Sequence, residues 1–156
     1  NKEVLIEEST EVMHKEVHQS INAIEQQNYN AIQENFEIRK MFKEMFQAAD
    51  TSPLYQLKKH YPEIYQKVMT RELDECNMCF KQNIVKGIEQ ELYREDLDVD
   101  IYVKFYYSLI FSIKENTSSE REATKLELQA LEYHTRAMAT PKGIAELEKQ
   151  LLKTKI

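Results

Sequence analysis

Apolar residues recur along this chain at intervals of three and four, and the breaks in that rhythm fall on helix caps. Ile6, Met13, Val17, Ile21 and Ile24 are spaced 7, 4, 4 and 3 residues apart, which puts them on one face of a helix over about 1–26. Asn1 is placed to cap that helix, with Glu3, Glu7 and Glu8 near the positive end of its dipole. Gln26-Gln27-Asn28 predicts the turn. A second helix is expected over about 29–49, with Ile38, Met41, Phe42, Met45, Phe46 and Ala49 in the same rhythm. Asp50-Thr51-Ser52-Pro53 reads as a stop and a new start, Ser52 capping and Pro53 taking the first helical position. Pro62 holds Tyr61 extended, so a short helix to His60 should be followed by a long one over about 62–91. Its stripe is Tyr65, Val68, Met69, Leu73, Cys76, Phe80, Ile84 and Ile88, and Gly87 should weaken its last turn by about 1 kcal/mol relative to Ala.

Beyond the polar connector Arg94 to Asp98, where Asp96 or Asp98 can cap, the pattern changes. From Val99 to Glu115 the apolar residues Ile101, Tyr102, Val103, Phe105, Tyr106, Tyr107, Leu109, Ile110, Phe111 and Ile113 cover nearly the whole circumference. Such a helix needs burial on all sides, which in a small domain calls for a partner subunit as well as the chain's own core. Ser118 or Ser119 should cap the next helix, to about Ala139. On it Ala123, Ala130 and Ala137 lie seven apart, with Leu126 and Tyr133 between them, a seam another helix can approach closely. Thr140-Pro141 repeats the cap-then-proline start of a terminal helix through Leu152.

Composition narrows the function. The 156 residues, about one domain's worth, include 2 glycines and 3 prolines. Gly87 and Gly143 are too far apart for a dinucleotide fingerprint or a phosphate-binding loop. Sandwiches and barrels lack the turn residues they need. The fold class expected is all-α, an antiparallel helical bundle. A net charge of −6 argues against this chain touching DNA or RNA by itself, and Lys58-Lys59-His60 reads as a solvated face. No apolar run approaches membrane length. Two cysteines in an acidic helical chain fit a reducing cytoplasm, the compartment expected.

Few motifs carry chemistry. Glu11 and His14 form one Glu-x-x-His unit, where a di-iron bundle needs two. His14 and His18 have the helical spacing of a metal pair but not the zinc-protease pattern, and read as exposed histidines. Cys76 and Cys79 have CxxC spacing in mid-helix, away from the N-terminus that would activate a thiol, and read as packing residues. Nothing argues for catalysis or calls for a cofactor. Nine tyrosines, six phenylalanines and six methionines suit an apolar cavity with a few polar handles.

Four strings in order resemble the C-terminal domain of TetR-type transcriptional regulators. Asn1-Lys2-Glu3-Val4-Leu5 is similar to the segment that follows the helix-turn-helix in that family. The stretch from Leu57 to Tyr65 resembles the short helix, break and long helix of one subgroup, Gly87 to Asp96 the end of that long helix, and Tyr133 to Gly143 its closing signature. The resemblance implies an effector-binding and dimerisation domain whose DNA-reading head would precede Asn1. DNA would then be a partner only through that head, and the last two long helices would pair in a homodimer. On this basis the cavity wall for a small-molecule effector is expected at Phe42, Phe46, Tyr65, Met69, Cys76, Phe80, Tyr102 and Tyr106. The dimer seam is expected at Tyr107, Ile110, Phe111, Leu126, Ala130, Tyr133 and Ala137. The competing readings are a helical-bundle metalloprotein using Glu11, His14 and His18, and a solid, purely structural dimerisation module.

Overall fold

Five of the helices begin where a side chain satisfies a free backbone N–H. Asn1 accepts from the amide of Glu3 at 2.9 Å, Asn30 from Gln33 at 2.9 Å, Asp98 from Ile101 at 3.1 Å, Ser119 from Glu122 at 3.5 Å and Thr140 from Gly143 at 3.1 Å. The computed structural model describes residues 1–46 and 53–155. Within them lie α1 (Lys2–Glu25), α2 (Ala31–Phe46), α3 (Pro53–His60), α4 (Pro62–Glu89), α5 (Val99–Asn116), α6 (Glu120–Met138) and α7 (Pro141–Thr154). The expected positions of Ala49 in the second helix and of the Ser52 cap lie outside the described residues. Among those described there is no strand, only an isolated antiparallel bridge between Tyr93 and Ala139. The protein is all-helical.

The pairings give the directions. Lys81 meets Asp100, and Tyr65 and Lys58 both meet Glu115, so α4 and α5 are antiparallel. Lys114 pairs with Glu127 and Tyr106 stacks on His134, so α5 and α6 are antiparallel as well. The solid core lies at one end, where α2, α4, α6 and α7 converge on the α4–α5 connector. Ile32, Ile84, Tyr93, Leu131, Met138 and Leu147 are fully buried there.

Both glycines are required by that convergence. A Cβ on Gly87 would lie 2.1 Å from the Tyr93 ring, and one on Gly143 2.0 Å from the Leu92 carbonyl oxygen. Alanine at 87 would therefore forfeit its gain in helix propensity to overlap with a buried ring. Glu91, at φ 61°, turns the chain out of α4, and the amides of Leu92 and Tyr93 both close onto the Gly87 carbonyl. Leu92 and Arg94 then bond the backbone of Thr140 and Met138, fastening the connector to the α6–α7 junction.

Within the single chain α5 is covered on part of its circumference, and Ile101 and Phe105 are 46% and 64% exposed. The alanines at 123 and 130 are buried against the chain's own core, so their spacing reflects close packing of α6 within the subunit. Leu126 and Tyr133 do point outward, and Tyr133 is 72% exposed.

Candidate functional site

Helix α1 packs against α2 but reaches α4 largely through long side chains. Glu7 pairs with Lys67 at 2.6 Å, Glu11 with Arg71, and His14 and His18 with Glu72 and Glu75. Numbers rise together along both helices, so α1 and α4 run parallel, bridged by a row of ionic contacts one turn apart. Behind that row is a cavity of about 420 Å³, within the range of small-molecule sites.

The walls are mostly apolar. Ile6, Val17 and Ile21 come from α1, Ile38, Phe42 and Phe46 from α2, Leu54 and Leu57 from α3. Val68, Cys76, Cys79 and Phe80 come from α4, and Tyr106, Ile110 and Phe111 from α5. Phe42 and Phe46 stack at 6.4 Å, and Phe80 meets Tyr106 edge-on at 5.2 Å. Against this lining stand polar groups of both signs, the carboxylates of Glu25, Glu34, Glu72, Glu120 and Glu127 as well as Arg39, Arg71 and Lys114. Arg39 donates through Nη2 to the Thr124 carbonyl at 3.2 Å, which leaves its buried Nε–H without a partner. Arg71 is engaged by Glu11, and its Nε–H is likewise buried and unpartnered. Lys114 lies 4.9 Å over the Phe42 ring and pairs with Glu127 at 3.1 Å.

Burial tunes several of these groups. Desolvation, then the charge of Glu72, holds the Cys76 thiol far above its ordinary range. It remains a thiol and donates a hydrogen bond to the Glu72 carboxylate at 3.4 Å. Desolvation likewise raises Cys79, so the CxxC pair lacks the activated thiolate that redox exchange requires. Burial raises the Tyr106 phenol, with Glu127 adding to it.

Comparison with protein-family models, curated proteins and solved structures gives no match.

Of the residues expected in the wall, Phe42, Phe46, Cys76, Phe80 and Tyr106 line the cavity. Tyr65 is buried elsewhere, donating its hydroxyl to Glu115. Met69 faces an open groove on the outer side of α4 and α5, and Tyr102 lies near Arg94 at the α4–α5 connector. Among the residues expected in the dimer seam, Ile110 and Phe111 line the cavity, and Phe111 also borders the outer groove. Tyr107 is buried, stacks on Phe111 at 4.2 Å and borders the outer groove. Ala137 is half-buried.

His14 and His18 are not free on the surface: their side chains are 13% and 21% exposed and both border the cavity. Their partners Glu72 and Glu75 escaped the sequence reading, as did Arg39 and Arg71. For Glu72 a signal existed. It falls in the row Val68, Glu72, Cys76, a carboxylate set into an otherwise apolar stripe.

Proposed function

We propose that the chain is the effector-sensing and dimerisation domain of a TetR-like transcriptional regulator, and that the cavity under α1 receives an amphipathic small molecule. The cavity itself carries this reading: an apolar chamber holding two buried guanidinium N–H groups without partners. A molecule with an apolar body and a carboxylate or other strongly accepting end would complete both features, since an unmet buried donor costs about 1–3 kcal/mol. The occupant would bear on α1, the element nearest to where a DNA-binding head would join. Because α1 meets α4 through ionic side chains over the chamber, filling it would favour one α1 position over another. Coupling to operator affinity would follow from that differential stabilisation.

Anilinonaphthalene sulfonate, an aromatic anion, is a suitable probe. It should bind once per chain with enhanced fluorescence. Ile38→Trp, which fills the chamber from α2, should weaken binding at least ten-fold while the far-ultraviolet spectrum and melting temperature stay near wild type. Unchanged affinity in that variant would place the probe elsewhere and remove the support for an effector site.

The dimer would form through the outward faces of α5 and α6, which present Ile101, Phe105, Leu126 and Tyr133 to solvent. Phe105→Asp should then sediment as a monomer. A dimer of undiminished stability in that variant would exclude this face.

A further inference from the structure

We infer that the α1–α4 seam holds a divalent transition-metal site of the zinc class, formed by His14 and His18 of α1 with Glu75 of α4 and supported by Glu72. One ligand atom from each of His14, His18 and Glu75 falls within 4.8 Å of the others. The contacts are His14 Nε2 to Glu75 Oε2 at 3.0 Å, His18 Nε2 to Glu75 Oε2 at 3.2 Å, and His18 Nε2 to Glu72 Oε2 at 3.6 Å. A tetrahedral ion bound at about 2.0–2.1 Å has ligand–ligand edges of about 3.3–3.4 Å, so these spacings bracket the edges of such a site.

The proton inventory points the same way. His14 touches Glu72 through Nδ1 and Glu75 through Nε2. A neutral imidazole has one N–H and can donate to only one of these carboxylates. With Nδ1 donating to Glu72, Nε2 faces the Glu75 oxygen, a contact that either a second ring proton or a bound metal cation satisfies. His18 Nε2 repeats the problem: it is buried near both carboxylates yet aligned for a hydrogen bond with neither. A dication between the two Nε2 atoms and Glu75 resolves both contacts. Glu72 then acts as the outer carboxylate that fixes the His14 tautomer. Two imidazoles with carboxylate suit zinc, cobalt or nickel better than calcium or magnesium, which prefer all-oxygen shells. Since His14, His18 and Glu72 border the cavity, the fourth position is left to Glu72 Oε2 or to a molecule in the chamber.

Metal binding here is independent of whether the chamber takes an organic molecule, and the two can fail separately. Chelator-treated protein titrated with Co²⁺ should develop tetrahedral ligand-field absorption saturating at one equivalent per chain and reversed by Zn²⁺. His18→Gln should weaken binding a hundred-fold or more and Glu75→Gln ten-fold or more, whereas Glu11→Gln, whose carboxylate is engaged by Arg71, should bind as wild type. Melting each variant in chelator checks that it folds. Absence of saturable absorption in the wild-type protein overturns the assignment, since the two histidines are then held by protons alone. So does an unaltered Co²⁺ affinity in His18→Gln.

Discussion

Glu34→Ala is expected to destabilise the protein by about 3 kcal/mol, the low end of what removing one member of a buried ion pair costs. Glu34 is 4% exposed near the start of α2, with Lys86 at 2.5 Å on α4. Asn83 donates to its carboxylate at 2.7 Å and to the Ala31 carbonyl at 3.1 Å, while the Asn83 oxygen accepts from Asn35 at 2.8 Å. Deleting the carboxylate leaves a buried amide proton and a largely buried ammonium group without their acceptor. The Lys86 side chain is 29% exposed and can turn partly to water, which is why the low end applies. Glu34→Gln should cost less, because its amide oxygen can still accept from Asn83. Urea unfolding of both variants measures the difference, and a loss below about 1 kcal/mol for Glu34→Ala would mean that the network does not hold α2 to α4.

Acid should unfold the protein partly through His134. This ring is buried in α6 and stacks on Tyr106 with centroids 4.1 Å apart and planes 9° from parallel. Desolvation lowers its pKa to about 4 from an unfolded value near 6.5. Between those values the unfolded chain carries a proton that the folded chain refuses, so stability falls as pH falls. The contribution is complete above about pH 6.5 and is lost by about pH 4, for a total of about 3 kcal/mol. Unfolding free energies between pH 7 and pH 4 should drop less steeply for His134→Phe, which keeps a stacking ring without the titration. Parallel curves for the two proteins would show that His134 protonates without penalty.

The helices were legible because their signals are local. Asn1 and Thr140 cap where their sequences place them, Asp98 and Ser119 are the members of their candidate pairs that do so, and the apolar rhythm spans each element between. What periodicity could not tell was which surface each face meets. The alanine spacing on α6 identifies a close approach but not its partner, and Ala123 and Ala130 turn out to face the chain's own core. Gly87 reads locally as a weak point in α4, whereas its role depends on the Tyr93 ring folding back over it. The histidines of α1 show the same limit more sharply. Their carboxylate partners lie on α4, 58 residues away for His14 and Glu72, a distance over which spacing carries no information. Of the eight residues expected in the wall, Phe42, Phe46, Cys76, Phe80 and Tyr106 border the cavity, because α2, α4 and α5 each turn one apolar face inward. Tyr65 instead meets Glu115, Met69 borders the outer groove and Tyr102 lies near Arg94 at the α4–α5 connector.

The central claim, that a small molecule enters the chamber under α1, can be tested directly with methyl-labelled methionines. Met13 lines that chamber, Met69 and Met78 line the outer groove, and Met138 sits in the solid core. Titrating anilinonaphthalene sulfonate should shift the Met13 methyl resonance in a saturable way while Met78 and Met138 stay in place. Shifts confined to Met69 and Met78, or none at all, would contradict a chamber that accepts ligand.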